Sequence, residues 1–211
     1  MEGVRVNAVS KSQRPISVIV VLTVAMSPKP AEAHLNATGI GPFYDGLMHF
    51  LMSPEDLIPV LALALLAGLR GAAHGRQALF TLPAAWLVGG LFGLTASAMN
   101  GSAVLSAFWF LLVGGLVAAD AKLSVPVTTA LVALLGLSHG YLNGTGMGPS
   151  GSAVVAVLGL VLAVFVLTAL AAAFVVQLRA YWARIAVRVA GSWIAAIGLL
   201  MLGWSVRGSL H

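Results

Sequence analysis

The sequence predicts an all-α fold, a polytopic bundle of about six transmembrane helices plus a short half-helix, after an N-terminal signal peptide. Hydrophobic residues make up 60% of the 211 residues and charged residues only 8%, so polar side chains are too few to cover a water-soluble surface. The apolar residues form continuous runs, whereas the strands of a membrane barrel alternate polar and apolar residues. An apolar stretch near the N-terminus is followed by the small-residue pattern that signal peptidase cleaves.

Residues 1–33 are interpreted as the signal peptide. Lys11 and Arg14 precede the apolar stretch Ile16–Met26, and Ala31-Glu32-Ala33 supplies the cleavage pattern. The stretch is short for a membrane span, and an uncleaved anchor is the alternative. Cleavage would make His34 the first residue, whose α-amine and imidazole together can chelate a divalent metal. A His34 that simply follows the cleavage site is the other interpretation.

Residues 34–211 are predicted to form one transmembrane helical domain. Its apolar runs are Leu57–Leu69, Ala78–Ala96, Ala103–Ala119, Val125–Leu142, Ala153–Leu178 and Ile185–Val206. With their flanking residues, such runs cross a hydrocarbon core of about 30 Å at about 1.5 Å per residue. The first run needs Pro54–Asp56 as its opening turn, with Ser53 as the N-cap. The segment Gly41–Met52 is too short to span and is predicted to be a half-helix or an interfacial segment.

The basic residues of the connecting loops predict the orientation of the bundle. They lie in alternate loops, at Arg70, Arg76, Lys122, Arg179, Arg184 and Arg188. The intervening loops, Ser97–Ser102 and Asn143–Ser152, carry no charge. Under the positive-inside rule, the basic loops face the cytoplasm and the mature N-terminus lies on the exported side, with Arg207 as the exception.

Composition also excludes several classes of function. The net charge of +5 is distributed over short loops and forms no continuous cationic surface, so no nucleic-acid partner is expected. The chain has no cysteine, which excludes disulfides, iron–sulfur clusters and thiolate metal sites. A metal ion would have to be bound by His, carboxylate, Met, carbonyl groups or the chain's own terminus.

Metal-ligating residues from separate segments gather at the predicted exported face. They are His34, Asp45, His49, Glu55, Asp56, His139 and Asn143. Imidazoles and carboxylates, with a carbonyl group nearby, are suitable ligands for a divalent transition metal. The pattern therefore predicts one shared polar site for such a metal.

Most of these residues also have a purely structural interpretation. Asp45 and His49 are four residues apart and could form an intrahelical pair. Glu55 and Asp56 stand at a helix N-terminus, where the helix dipole favours carboxylates whatever the function. His139 follows a long apolar run, where an imidazole needs a partner that a backbone carbonyl could supply.

One glycine motif occurs twice in the apolar runs. Leu87-Val-Gly-Gly-Leu91 recurs as Leu112-Val-Gly-Gly-Leu116. Small residues of this kind let membrane helices approach closely, so both copies are expected at helix–helix contacts. An internal duplication of the transporter type is the second interpretation of the repeat.

Four segments resemble the HupE/UreJ family of bacterial membrane proteins, namely Ala33-His34, Gly41-Pro-Phe-Tyr-Asp-Gly-Leu-Met-His49, Pro54-Glu-Asp56-Leu and Ser138-His139-Gly140-Tyr-Leu-Asn143-Gly144. Members of that family open with a signal peptide, a Gly-Phe-x-x-Gly-x-x-His-Pro segment and an Asp-His pair that starts the next helix. A later segment reads His-Gly-x-x-His-Gly. This chain has Phe50 in place of the proline, Leu57 in place of the second His of the pair, and Asn143 in place of the later His. Its spacing from His49 to Asp56 is also one residue longer.

The resemblance implies a nickel permease or a metal accessory protein of hydrogenase or urease maturation. The leading hypothesis is a permease of the bacterial inner membrane that captures a divalent metal at the periplasmic face and passes it inward. His34, Asp45, His49, Asp56 and His139 would form the capture site, with Glu55 adding negative potential and Asn143 a carbonyl ligand. The alternative is a non-transporting assembly subunit that docks a metalloprotein or another partner.

The expected partners follow from that hypothesis. The divalent metal is the substrate, no resident cofactor is expected, and the lipid bilayer surrounds the bundle. A homo-oligomer or a membrane partner is left open. An intramembrane metalloenzyme is the third hypothesis, since the same residues could hold a catalytic metal with an open position. It ranks below the permease and the assembly subunit, and the prediction is that the protein is not an enzyme.

Overall fold

The computed structural model describes residues 38–96, 102–148, 150–177 and 181–208. These residues form seven α-helices and no strand, which confirms the all-helical prediction. The helices are α1 (Pro42–Met52), α2 (Pro54–Leu69), α3 (Ala72–Gly93), α4 (Ser102–Ala118), α5 (Val125–Met147), α6 (Ala153–Gln177) and α7 (Tyr181–Gly208). The predicted signal peptide, residues 1–33, and His34 lie outside the described residues.

Several of these helices are long and apolar enough to cross a membrane. Three meet this condition individually, over Val125–Met147, Ala153–Val175 and Trp182–Arg207. The pair α1 and α2 makes a fourth candidate if the two helices, bent by 72°, form one broken span. The helix α4 is apolar but shorter, and α3 opens with the polar residues His74, Arg76 and Gln77. The chain is thus a helical membrane protein, and about six spans remains a prediction.

The bend between α1 and α2 is caused by Pro54. A proline in a continuous helix has no N–H to donate, and its ring would clash with the carbonyl four residues earlier, here that of Phe50. The preceding residue, Ser53, is extended, with φ −99° and ψ 94°, as expected before proline. Ser53 occupies the predicted N-cap position, but its hydroxyl donates to the carbonyl of His49 over 2.7 Å and does not cap α2. The hydroxyl therefore links the bend to the end of α1.

The helix α2 lies at the centre of the bundle. It contacts each of the other described helices, and its buried side chains include Val60, Leu63, Leu66 and Ala67, all fully buried. Around it, the closest packing joins α3 with α5, α4 with α7, and α1 with α6. A residue at either end of α2 therefore lies near the axis of the bundle.

Both copies of the repeated glycine motif lie at close helix contacts, as predicted. A Cβ atom on Gly89 would collide with the carbonyl oxygen of Leu137 on α5. A Cβ atom on Gly114 would lie 2.5 Å from the backbone nitrogen of Ala195 on α7. Only glycine allows these backbones to approach so closely, and such approaches hold membrane helices together by van der Waals contact.

The predicted basic loops meet at one end of the bundle. Asp120, between α4 and α5, pairs with Arg70 at the end of α2 and with Arg184 near the start of α7. We call this the basic end. Asp56 stands at the other end of α2, which we call the site end. The structure confirms that basic residues from alternate loops converge, and which side of the membrane they face stays a prediction.

Candidate metal-binding site

Three polar side chains meet in the core at the site end, and we call Asp56, His139 and Asn143 the polar triad. Asp56 is only 4% exposed and His139 only 1% exposed. The Nδ1 atom of His139 lies 2.8 Å from Oδ1 of Asp56. The side-chain amide of Asn143 donates to both carboxylate oxygens of Asp56, over 3.2 Å and 3.0 Å. It also donates to the backbone carbonyl of His139 over 2.9 Å.

The hydrogen bonds of the triad determine which of its atoms are left for a ligand. A carboxylate accepts hydrogen bonds, so Nδ1 of His139 carries the proton in its bond with Asp56, and Nε2 of the neutral imidazole then carries a lone pair. Asn143 faces a carboxylate and a carbonyl, which assigns its NH2 group to them and leaves its Oδ1 pointing away. Within the described residues, Nε2 of His139 and Oδ1 of Asn143 are buried and have no hydrogen-bond partner. Both atoms are good metal ligands.

Aromatic rings enclose the imidazole of His139. The ring centroids of Trp86 and Trp109 lie 5.6 Å and 6.4 Å from it. Phe50 is fully buried and packs edge-on against Trp86, at 5.8 Å between centroids. Phe50, which stands where the family pattern has proline, therefore belongs to the wall of the site. A wall of this kind excludes water and strengthens electrostatic interactions inside it.

Glycines of α5 bring the triad together. A Cβ atom on Gly140 would collide with the carbonyl oxygen of Trp86, and one on Gly144 with that of Gly90. These two glycines directly follow the triad residues of α5 in the sequence. Because α5 can lie this close to α3, its two polar side chains reach the carboxylate of Asp56 on the central helix.

Two further predicted residues lie at the rim of the triad. Glu55 directly precedes Asp56, is exposed, and interacts electrostatically with Asp56, His139 and His49. His49 is partly buried in the last turn of α1, which the bend places beside the start of α2. A carboxylate next to a buried site raises the local concentration of cations.

The structure gives Asp45 a different environment from the triad. Its Oδ1 atom accepts hydrogen bonds from the backbone N–H of Thr38, over 2.6 Å, and from the hydroxyl of Thr38, over 2.7 Å. In the described part of the chain, no hydrogen bond or ion pair joins Asp45 to His49 or to the triad. The carboxylate of Asp45 instead fastens the segment that enters α1. His34 precedes the described residues, and its predicted role stays a prediction.

The ligand set of the site is small and mixed. Among residues 38–96, 102–148, 150–177 and 181–208, no group of three or more His, Asp or Glu side chains is arranged to hold a metal ion. Leu57, at the position of the family's second His, packs against the apolar core.

The sequence did not single out Trp86 and Trp109, because a tryptophan in an apolar run predicts packing and nothing more specific. Their buried indole N–H groups have no hydrogen-bond partner in the described structure.

Comparison with known proteins identifies the family of the chain. The family described as HupE / UreJ protein matches residues 21–201. A relative, Protein HupE of Rhizobium leguminosarum bv. viciae, is 24% identical over 187 residues, which cover 87% of this chain and 96% of that protein. No solved structure matches the chain. Since the family match extends over most of the chain, including every residue of the polar triad, this protein belongs to the HupE/UreJ family.

Proposed function

We propose that this protein is a permease that captures a divalent transition metal, nickel by analogy with its family, at the site end and passes it toward the basic end. One observation carries the proposal. Nε2 of His139 and Oδ1 of Asn143 are buried and unpartnered in the described structure, while their neighbouring atoms are held by Asp56. A buried polar atom without a partner is costly, and a bound metal ion would satisfy both of these atoms.

The residues of the site take different roles in this proposal. His139 and Asn143 bind the ion directly, and Asp56 orients both of them from behind, as carboxylates commonly do for metal-bound histidines. Glu55 and His49 lie at the rim and attract the cation. Asp45 and the N-terminal His34 contribute ligands or negative potential on the approach to the site. No resident cofactor or enzymatic step is required.

Charge and membrane potential supply the driving force in the proposed orientation. The mature N-terminus and the site end would face the periplasm, and the basic end would face the cytoplasm. A divalent cation that moves inward gains about 2.3 kcal/mol per charge for each 100 mV. This gradient concentrates the metal without nucleotide hydrolysis.

A second function, an assembly subunit that binds the metal or a metalloprotein without transport, is favoured by a different observation. The core along α2 between Asp56 and the basic end is apolar, with Val60, Leu63 and Leu66 fully buried. A cation in such a core would lack ligands unless the bundle rearranges. Binding without uptake would identify this function.

Uptake into proteoliposomes separates the two functions. Purified protein would be reconstituted and offered nickel, cobalt, copper and zinc, with uptake followed by a dye inside the vesicles. We expect uptake of at least one of these metals, and its loss in His139→Ala. The matched control is Ser138→Ala, because the hydroxyl of Ser138 donates to the backbone carbonyl of Leu135, three residues earlier on its own helix. Equal uptake by the wild type and His139→Ala would contradict the proposed permease site.

A further inference from the structure

The basic end contains a buried cation that the proposed function does not use. Arg70 follows the last residue of α2, and its side chain is only 9% exposed. Its guanidinium donates to the carboxylate of Asp120, while its Nε atom is buried without a partner in the described structure. A guanidinium keeps its charge under all ordinary conditions. Burial of this charge is therefore tolerable only while Asp120 stays beside it.

Asp120 joins three segments of the chain. Besides Arg70, it accepts a hydrogen bond from Arg184 on α7 over 3.3 Å. Its own backbone is left-handed, with φ of 50°, a conformation that is uncommon for residues other than glycine but is tolerated by Asp. The end of α2, the α4–α5 connection and the start of α7 are thus tied to a single carboxylate.

Two further contacts hold the same region together. The Nε atom of Arg188 donates to the carbonyl of Ala118 over 3.0 Å, and Nε2 of His74 lies 3.1 Å from the carbonyl of Leu123. Neither contact involves Asp120. Arg70 and Arg184 therefore share Asp120 as an ion-pair partner, whereas the neighbouring contacts do not involve it.

Arg70 and the triad residue Asp56 stand at opposite ends of the central helix. Asp56 and Arg70 are 14 residues apart on the central helix, which is about 21 Å at about 1.5 Å per residue. A cation that moved along α2 would approach the buried positive charge of Arg70 at the end of the helix. A fixed arginine is an effective electrostatic barrier to cations in a narrow path.

We propose that Arg70, Asp120 and Arg184 form an ionic gate that closes the basic end, an inference that rests on the proposed permease function. Asp120 holds Arg70 in the closed position. Release of Asp120 lets the long side chain of Arg70 extend into water, because an unpaired guanidinium is unstable in the core. The gate then opens a path from the basic end toward the middle of α2.

Cysteine labelling tests the gate without using any metal. The native chain has no cysteine, so Ala67→Cys provides one reporter, at a fully buried position three residues before Arg70 and close to it on the helix. In membrane vesicles of both orientations, an impermeant thiol reagent should not label this reporter from either side. With Asp120→Asn added, labelling from the basic-end side should rise at least about tenfold, and labelling from the site-end side should stay at background.

Two control variants separate the gate from general loosening. Arg188→Gln removes a positive charge from the same end without touching Asp120, and it should leave the reporter protected. Asp120→Glu preserves the carboxylate and should also protect it. Labelling of Asp120→Asn from both sides, or equal labelling of Arg188→Gln, would overturn the gate.

A further variant covers the case in which Asp120→Asn does not fold. Arg184→Gln keeps the ion pair between Arg70 and Asp120 but removes the second partner of Asp120. The reporter should then be labelled more than in the wild type but less than a fully accessible cysteine. A reporter that stays fully protected in Arg184→Gln would overturn the shared role of Asp120. Nickel binding at the site end, measured on the same proteins, should be equal in the wild type and in the gate variants. A wild type that does not bind nickel would count against the proposed function and not against the gate.

Discussion

At the scale of single residues, Asp56 orients the other two residues of the polar triad. Its Oδ1 atom receives hydrogen bonds from both His139 and Asn143, and its Oδ2 atom receives one from Asn143. These bonds fix the orientation of the imidazole and of the amide. Such a partner also makes a histidine ligand more basic. In the proposed site, Asp56 is therefore a positioning residue.

Removal of Asp56 should destabilise the fold as well as the site. Asp56→Ala leaves the Nδ1–H group of His139 and the amide of Asn143 as buried donors without their carboxylate partner, at a cost of about 1–3 kcal/mol for each. Thermal unfolding in detergent, followed by tryptophan fluorescence, would measure this loss. Asp45→Ala is the control, because Asp45 bonds Thr38 in a partly exposed segment and its loss should cost less. Equal losses in the two variants would contradict the role of Asp56.

The sequence predicted that Asp56, His139 and Asn143 lie at one end of the bundle, but it did not predict the hydrogen bonds between them. Asp56 lies 83 residues from His139 and 87 from Asn143, and only the order of the helices and the alternation of basic loops placed them at one end. From the sequence, Asp56 was predicted to bind the metal directly, since a carboxylate near histidines usually does so. The hydrogen bonds that occupy both of its oxygens depend on side-chain geometry, which no spacing rule provides.

At the scale of elements, hydropathy predicted which segments are helical more accurately than the residues at which each helix begins and ends. The run Val125–Leu142 corresponds to α5, which continues to Met147. For α3, the run Ala78–Ala96 starts six residues too late and ends three residues past the helix, because the first turns are polar and a hydropathy window does not count them. The break at Pro54 was predictable, since proline interrupts a helix whatever surrounds it.

Glycine at position 140 should be essential for the position of α5. Gly140→Ala places a Cβ atom against the carbonyl of Trp86, so α3 and α5 must move apart and the imidazole of His139 must shift. We expect a lower unfolding temperature and weaker metal binding. Gly115→Ala is the matched control, because a Cβ atom there meets nothing within 4 Å. A Gly140→Ala protein as stable as Gly115→Ala would contradict the close packing of these helices.

At the scale of the whole molecule, the central helix connects two charged ends of opposite character. Acidic Asp56 and the free ligand atoms of α5 lie at one end, and Arg70 with Asp120 at the other. The chain has six acidic residues, and Asp120 is the one in the basic-end loops. This arrangement supports the proposals of a cation-binding site at one end and an ionic gate at the other.

The most direct test of the account is whether His139 and Asn143 bind the same metal ion. Nickel titration calorimetry would compare the wild type, His139→Ala, Asn143→Ala and the double variant in one detergent, with Ser138→Ala as control. We expect each single variant to lose at least about tenfold in affinity and the double variant to lose little more, because two ligands of one ion are coupled. Nickel binding that is undiminished in the double variant would contradict the account.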